Sequence, residues 1–185
     1  MLTLPFEDSL PRGLTDLLPG LARQGLGARP CGPLDRDFLR ALYAGTRESE
    51  LAQTGWPAEQ VQAFLAGQFE HQRRHFETHF PGALFLLLER KGQAIGRLYW
   101  WEGEDRAVLV DVILLPALRG QGLGTALLKT LLDRADARCL PIELHVEAGN
   151  PARRLYQRLG FMPAADTGFY TPMRRPVPHA AVLHG

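Results

Sequence analysis

The sequence predicts an α/β fold on a mixed sheet, with an antiparallel meander joined to a parallel βαβ pair. Three observations predict it. Residues 108–133 read in succession as a buried strand, a glycine-rich turn and an amphipathic helix. Apolar runs at 83–90, 94–101 and 108–115 are separated only by short turns around Lys91-Gly92-Gln93 and Gly103-Glu104-Asp105, the pattern of an antiparallel meander. Residues 141–147 then form a further strand, and the helix between it and the previous strand implies a crossover and a parallel pair.

Each element has a local reason. Pro5, Pro11 and Pro19 punctuate residues 1–27, where only 14–21 has the makings of a short helical turn. That stretch is expected to be an extension that packs on the domain or serves a partner. Residues 28–34 read as a short first strand, and Asp35 is suited to cap a helix over 36–46 with Phe38, Leu39 and Leu42 on its apolar face. Residues 47–57 are polar and loop-like. A long helix over 58–80 follows, with Val61, Phe64, Leu65, Phe69 and Phe76 as its buried stripe, and Pro81-Gly82 ends it. After the glycine turn, Ala126, Leu127, Leu128, Leu131 and Leu132 recur at helical spacing. Asn150-Pro151 caps and starts a last helix, and Gly160 ends it. Residues 161–164 and 169–174 read as closing strands, and a proline-rich tail from Arg175 is expected to fray. The organisation expected is an extension over 1–27, one domain over 28–172 and a tail over 173–185.

Composition narrows the function classes. The formal net charge is +1 with acids and bases interspersed, so the dense basic field needed for nucleic acid or an anionic membrane is missing. No apolar stretch is long enough to span a bilayer, and early acids argue against a secretory signal. A cytoplasmic protein with neither nucleic acid nor membrane as partner is expected. Cys31 and Cys139 stand far apart and outside any metal-ligand pattern, and read as idle thiols. His71, His75 and His79 have a spacing that can present a metal. Arg73 and Arg74 among them point to a solvated face instead, so no metal is expected.

The chemistry concentrates at Arg119-Gly120-Gln121-Gly122-Leu123-Gly124-Thr125. Glycines there let backbone N–H groups point outward, and the helix start adds partial positive charge, which makes an anion cradle suited to phosphate. Gln24-Gly25-Leu26-Gly27 repeats part of this motif, with no buried strand before it and Pro30 after it. Context therefore gives the second copy its meaning. The first-strand position and following acid of a dinucleotide-binding fold are absent, as is the Lys-Ser/Thr of a P-loop.

A second motif, Asn150-Pro151-Ala152-Arg153-Arg154-Leu155-Tyr156-Gln157-Arg158-Leu159-Gly160-Phe161, completes a pattern. Over roughly residues 28–172 the chain resembles the GNAT superfamily of acetyl-CoA-dependent N-acetyltransferases. The glycine turn fits that family's Gln/Arg-x-x-Gly-x-Gly/Ala signature, and the second motif fits its Asn…Leu-Tyr-x-x-x-Gly-Phe segment. The resemblance implies a splayed coenzyme A cleft, with acetyl-CoA as acyl-donor cosubstrate. It implies that the amides of Gln121, Gly122, Leu123, Gly124, Thr125 and Ala126 hold the pyrophosphate, with Arg119, Gly120 and Asn150 at the same site. It also implies a bulged fourth strand whose free backbone at Val112, Ile113, Leu114 and Leu115 pairs with the pantetheine arm. Neither cysteine falls in this site, so direct attack by a primary amine in a ternary complex is expected. The acceptor is a small-molecule amine or a protein N-terminus, and the family's habit suggests a homodimer. The alternative is an acyl-CoA-binding regulatory or interaction module without turnover.

Candidate catalytic groups follow. Tyr156 stands where the family's tyrosine protonates the departing thiolate, and a phenol is protonated at neutral pH. Its other reading is a half-buried core tyrosine. On 141–147, alternation puts Ile142, Leu144 and Val146 on one face and Glu143, His145 and Glu147 on the other. Histidines titrate near neutrality, which makes His145 the leading base or water-relay base, with Glu143 and Glu147 behind it. Asp111, inside an apolar strand, needs a partner. It binds the substrate amine, acts as base, or pairs with Arg97 on the next strand. Glu48, Glu50 and Trp56 lie between the first two helices, where relatives place an acceptor-binding loop. They either attract a cationic amine or form an exposed polar loop.

Overall fold

The computed structural model describes residues 12–164 and 168–178. Its strands are β1 Gly27–Pro30, β2 Leu84–Arg90, β3 Gln93–Glu102, β4 Ala107–Leu114, β5 Ile142–Glu147, β6 Met162–Pro163 and β7 Tyr170–Arg175. They form one seven-stranded sheet in the order β1-β2-β3-β4-β5-β7-β6. Every pairing is antiparallel except β4 with β5. The helices are α1 Arg12–Arg23, α2 Arg36–Leu51, α3 Ala58–His79, α4 Leu123–Ala137 and α5 Ala152–Arg158.

Period-two alternation gives the sheet two apolar faces. Leu86, Leu88, Leu98, Trp100, Leu109, Ile142, Leu144 and Val146 meet α4 through Leu127, Leu128 and Leu131. On the other face Leu87 meets Leu39, Tyr43 and Leu51 of α2 and Leu65 and Phe69 of α3. Instead of one short turn over 14–21, α1 runs for 12 residues with Pro19 inside it. Leu14, Leu17 and Leu21, at helical spacing, are fully buried in the same core as the sheet. Burying each such leucine contributes about 1.5–3 kcal/mol, enough to hold α1 against the body despite the rung lost at Pro19.

Several local expectations are corrected. Helix α2 continues through residues 47–51, so Glu48 and Glu50 ride on its last turns rather than in a loop. Leu51 drives this extension by burying itself in the second core. Asp35 does not cap α2 with its side chain. Its carboxylate accepts the Gly32 N–H at 2.7 Å and two bonds from Arg29 at 2.8 and 2.7 Å, closing the short 3-10 turn Pro33–Asp35 that cuts the first strand back to Pro30. Phe64 is 39% exposed and lies edge-on to Trp56 with ring centroids 5.4 Å apart, outside the buried stripe. Arg175 ends β7 in an ion pair with Asp136 at 2.6 Å instead of opening a frayed tail. Pro5 and Pro11 of the expected extension, and 179–185 of the expected tail, lie outside the described residues.

The feature that positions a site is a change in strand pairing. Along β3 the register passes from Trp100↔Leu109 to Tyr99↔Asp111, so Val110 is an extra residue and β4 is bulged there. Gly96 permits the close approach beyond the bulge, since a Cβ at this position would stand 2.3 Å from the Ile113 carbonyl oxygen. Strands β4 and β5 pair only over Ala107↔Ile142, Val108↔Glu143 and Leu109↔Leu144. Past that point β4 continues with β3, and β5 continues with β7 as far as Glu147↔Tyr170. The two strands separate into a wedge.

Candidate active site

The wedge exposes backbone on one side only. The Leu115 N–H donates to the Ile95 carbonyl at 2.9 Å, and antiparallel alternation directs Ile113 toward β3 as well. Val112 and Leu114 therefore direct their backbone groups into the wedge, whereas Ile113 and Leu115, expected to do the same, are committed to β3. At the far end, Pro116–Leu118 forms a 3-10 turn and Gly122 caps α4 in the left-handed conformation at φ 80°. Gly120 is also left-handed, and a Cβ added at either glycine would meet nothing within 4 Å. The Ala126 N–H is taken by the Gly122 carbonyl at 3.0 Å, which corrects its expected place among the free donors. Leu123, Gly124 and Thr125, the first turn of α4, precede the first intrahelical bond and supply the outward donors. The side chains of Arg119 and Gln121 are exposed beside them. Asn150 uses its Oδ1 to accept the Ala152 N–H at 2.9 Å and so caps α5.

Two candidate catalytic side chains, Asp111 and His145, stand at the wedge, and Tyr156 lies near enough to Asp111 to feel its charge. Asp111 follows the bulge and His145 follows Leu144, so on the α2–α3 face they are the first residues past the last β4–β5 pair. Tyr156 of α5 is buried edge-on to Phe161, with ring centroids 5.7 Å apart. Burial pushes its phenol up to about 12, with the nearby Asp111 charge adding to the rise. Of the three sequence readings for Asp111, pairing is observed: Arg97 Nε donates to Asp111 Oδ2 at 2.5 Å. Burial is the largest single influence and opposes charge on Arg97, but Asp111 together with Tyr99 and Cys31 more than offsets it, and the guanidinium stays protonated.

The polar face of β5 has the expected alternation, with Ile142, Leu144 and Val146 buried. Glu143 faces Arg106 at 3.3 Å and Arg174 at 3.9 Å, and Glu147 faces Arg47 at 3.3 Å. His145 stands exposed between these two paired acids.

Glu48, Glu50 and Trp56 are not brought together. Glu50 bonds Arg47 at 3.0 Å on the side that reaches β5. Glu48 and Trp56 instead line a cavity of about 710 Å³ between α2 and α3, floored by Leu51 and Leu65. Sequence inspection missed Gln72 and Arg47, whose partners lie 25 and 100 residues away and leave no local signal. Gly96 had a signal, a glycine in mid-strand. His75 and His79 stack with ring centroids 4.1 Å apart on α3, outside the wedge. Among the described residues, no helix is long and apolar enough to cross a membrane.

A bulged strand, a parallel pair that splits, and a helix start at the end of the split define an acyltransferase-type fold. The profile of the acetyltransferase (GNAT) family matches residues 43–161, and the chain belongs to that family. A mycothiol acetyltransferase of Kineococcus radiotolerans is 35% identical over 157 residues, covering 83% of this chain and 48% of that protein. A Bacillus subtilis (strain 168) protein, provisionally named a ribosomal-protein-bS18-alanine N-acetyltransferase, is 33% identical over 95 residues, covering 49% of this chain and 62% of that one. The match thus spans about half to three fifths of these relatives' length. Among solved structures, the PaiA N-acetyltransferase of Thermoplasma acidophilum in complex with coenzyme A superposes with a TM-score of 0.61 at 16% identity, covering 82% of this chain and 98% of that one. An acetyltransferase of Thermus thermophilus gives a TM-score of 0.58 at 25% identity, covering 82% and 96%.

Proposed function

We propose that this chain is an acetyl-CoA-dependent N-acetyltransferase that moves an acetyl group to a primary amine by direct attack in a ternary complex. The observation that carries this reading is the β4–β5 wedge past Leu109–Leu144, ending at the glycine-capped start of α4. The residues present fit coenzyme A. Leu123, Gly124 and Thr125 offer converging amides at a helix N-terminus, with open space over Gly120 and Gly122 for a diphosphate. Val112 and Leu114 offer alternate backbone groups for the amides of a pantetheine arm.

Acetyl-CoA supplies the acyl group as a thioester, and transfer forms a C–N bond while a C–S bond breaks. The chain must then give a proton to sulfur and take one from nitrogen. Tyr156 is the acid, since its raised phenol is protonated at neutral pH. His145 is the base, directly or through water, because Glu143 and Glu147 are engaged by arginines. Asp111 anchors the amine, with one carboxylate oxygen held by Arg97. The direct route is favoured further by Cys31, whose burial pushes its thiol up to about 12 and so disfavours a thiolate nucleophile.

The acceptor is a primary amine on a small molecule or at a protein N-terminus, and the relatives' names supply one of each kind. The test incubates the chain with acetyl-CoA and a panel of small amines, amino acids, aminoglycosides and alanyl peptides, and follows free thiol. Thiol release that depends on one acceptor, with acetyl found on its amine, is expected. Saturable coenzyme binding with no transfer across the panel would overturn the reading.

A further inference from the structure

Resting on that reading, we propose that Gln72 and Arg97 are positioning residues, a brace from α3 across one face of the sheet that holds Asp111 at the wedge to receive the acceptor amine. Arg97 is 1% exposed. A guanidinium so placed is costly, and a buried ion pair is often no more stabilising than well-packed apolar residues, so stability alone is a poor reason for it. Its geometry supplies another reason. Nε donates to Asp111 Oδ2 at 2.5 Å, Nη2 donates to Gln72 Oε1 at 2.7 Å, and the guanidinium carbon lies 4.9 Å from the Tyr99 ring centroid. Two directional bonds and an aromatic face leave a planar group little freedom to turn.

Both ends of the brace are fixed in the fold. Gln72 sits on α3 one turn before Phe76, which packs edge-on to Tyr99 with ring centroids 5.9 Å apart. At the other end, the bulge at Val110 sets Asp111 opposite Tyr99, just past the last β4–β5 pair. The Asp111 side chain is 20% exposed, so the carboxylate that Arg97 grips is still open to solvent. A carboxylate held in this way has one oxygen committed to the protein and the other available to an amine N–H. Gln72 needs no contact with substrate to matter; it acts through Arg97 and Asp111.

The experiment uses the full chain, acetyl-CoA and the acceptor selected from the panel above. Gln72→Ala is expected to raise the acceptor KM about tenfold, the scale of a lost bond to a charged group, with kcat and coenzyme A affinity within about twofold of wild type. Gln72→Glu keeps an oxygen for Arg97 and is expected to restore KM. In an Asp111→Asn background, Gln72→Ala is expected to add nothing, since the brace would have no carboxylate to hold. Equal KM effects of Gln72→Ala in both backgrounds would overturn the brace while leaving the acetyltransferase reading intact. So would a loss confined to thermal stability. Absence of transfer to any acceptor by the wild-type chain would overturn both.

Discussion

The two halves of the wedge are made of different materials. The proposed coenzyme side consists of backbone: the register of β4, two left-handed glycines and the first turn of α4, all within residues 107–125. The proposed acceptor side consists of side chains from α2, α3, β3, β4 and β5, joined by contacts such as Arg97–Gln72 and Arg47–Glu147. Backbone chemistry is the same for every residue, so a local run of glycines can specify a phosphate cradle. Side-chain chemistry depends on which residues the fold juxtaposes, so it can vary among proteins that share the cradle. A common donor with a variable acceptor is what such a division permits.

The largest expected effect breaks the chemistry while sparing the backbone half. Tyr156→Phe should lower kcat about 100-fold, the scale of a lost general acid, with coenzyme A affinity measured by calorimetry nearly unchanged. Loss of coenzyme affinity in parallel would blur the division between the halves. The converse variant is Gly122→Ala, which puts a Cβ at φ 80°. Strain of about 1–2 kcal/mol should weaken coenzyme A binding by about tenfold, with the acceptor KM little changed at saturating donor.

A smaller effect concerns the support of the acceptor half. Arg29 hydrogen bonds hold the Asp35 carboxyl below the usual carboxylate range, and this pair closes the turn from which α2 departs. A depressed carboxylate adds stability above its unfolded pKa and loses it as pH falls through the folded value. Asp35→Asn should therefore cost about 1 kcal/mol at neutral pH, and the gap in thermal midpoint from wild type should close below about pH 4. The smallest effect belongs to the cavity between α2 and α3. Glu48→Gln should leave acceptor KM within about twofold, because Glu48 lines that cavity while Glu50 bonds Arg47, the arginine that reaches β5. A large rise would bring the cavity into the acceptor path.

How much was legible in the sequence follows the same division. The meander, the crossover and the cradle could be read because turns, β-branched runs and glycines act locally. The alternation on β5 was legible too, and it singled out His145. The Arg97 partner of Asp111 was foreseeable, because a carboxylate in an apolar strand needs a neighbour. Gln72 was not, since nothing near it in sequence marks a helix residue that will meet a strand 25 positions later. The polar run Arg47, Glu48, Ser49 and Glu50 hides the last turn of α2, which Leu51 buries. Nothing in the sequence marks Ala126, Ile113 and Leu115 as taken, because only the register reveals which amides the protein itself has bonded.

In the proposed site, coenzyme A pairs with backbone left unpaired where β4 and β5 separate. Residue-resolved amide hydrogen exchange, with and without coenzyme A, tests this pairing most directly. The amides of Val112, Leu114, Leu123, Gly124 and Thr125 should gain protection on binding, while those of Leu115 and Ala126, already bonded within the protein, should change little. Binding that leaves the first group unchanged, or that protects the cavity between α2 and α3 instead, would contradict it.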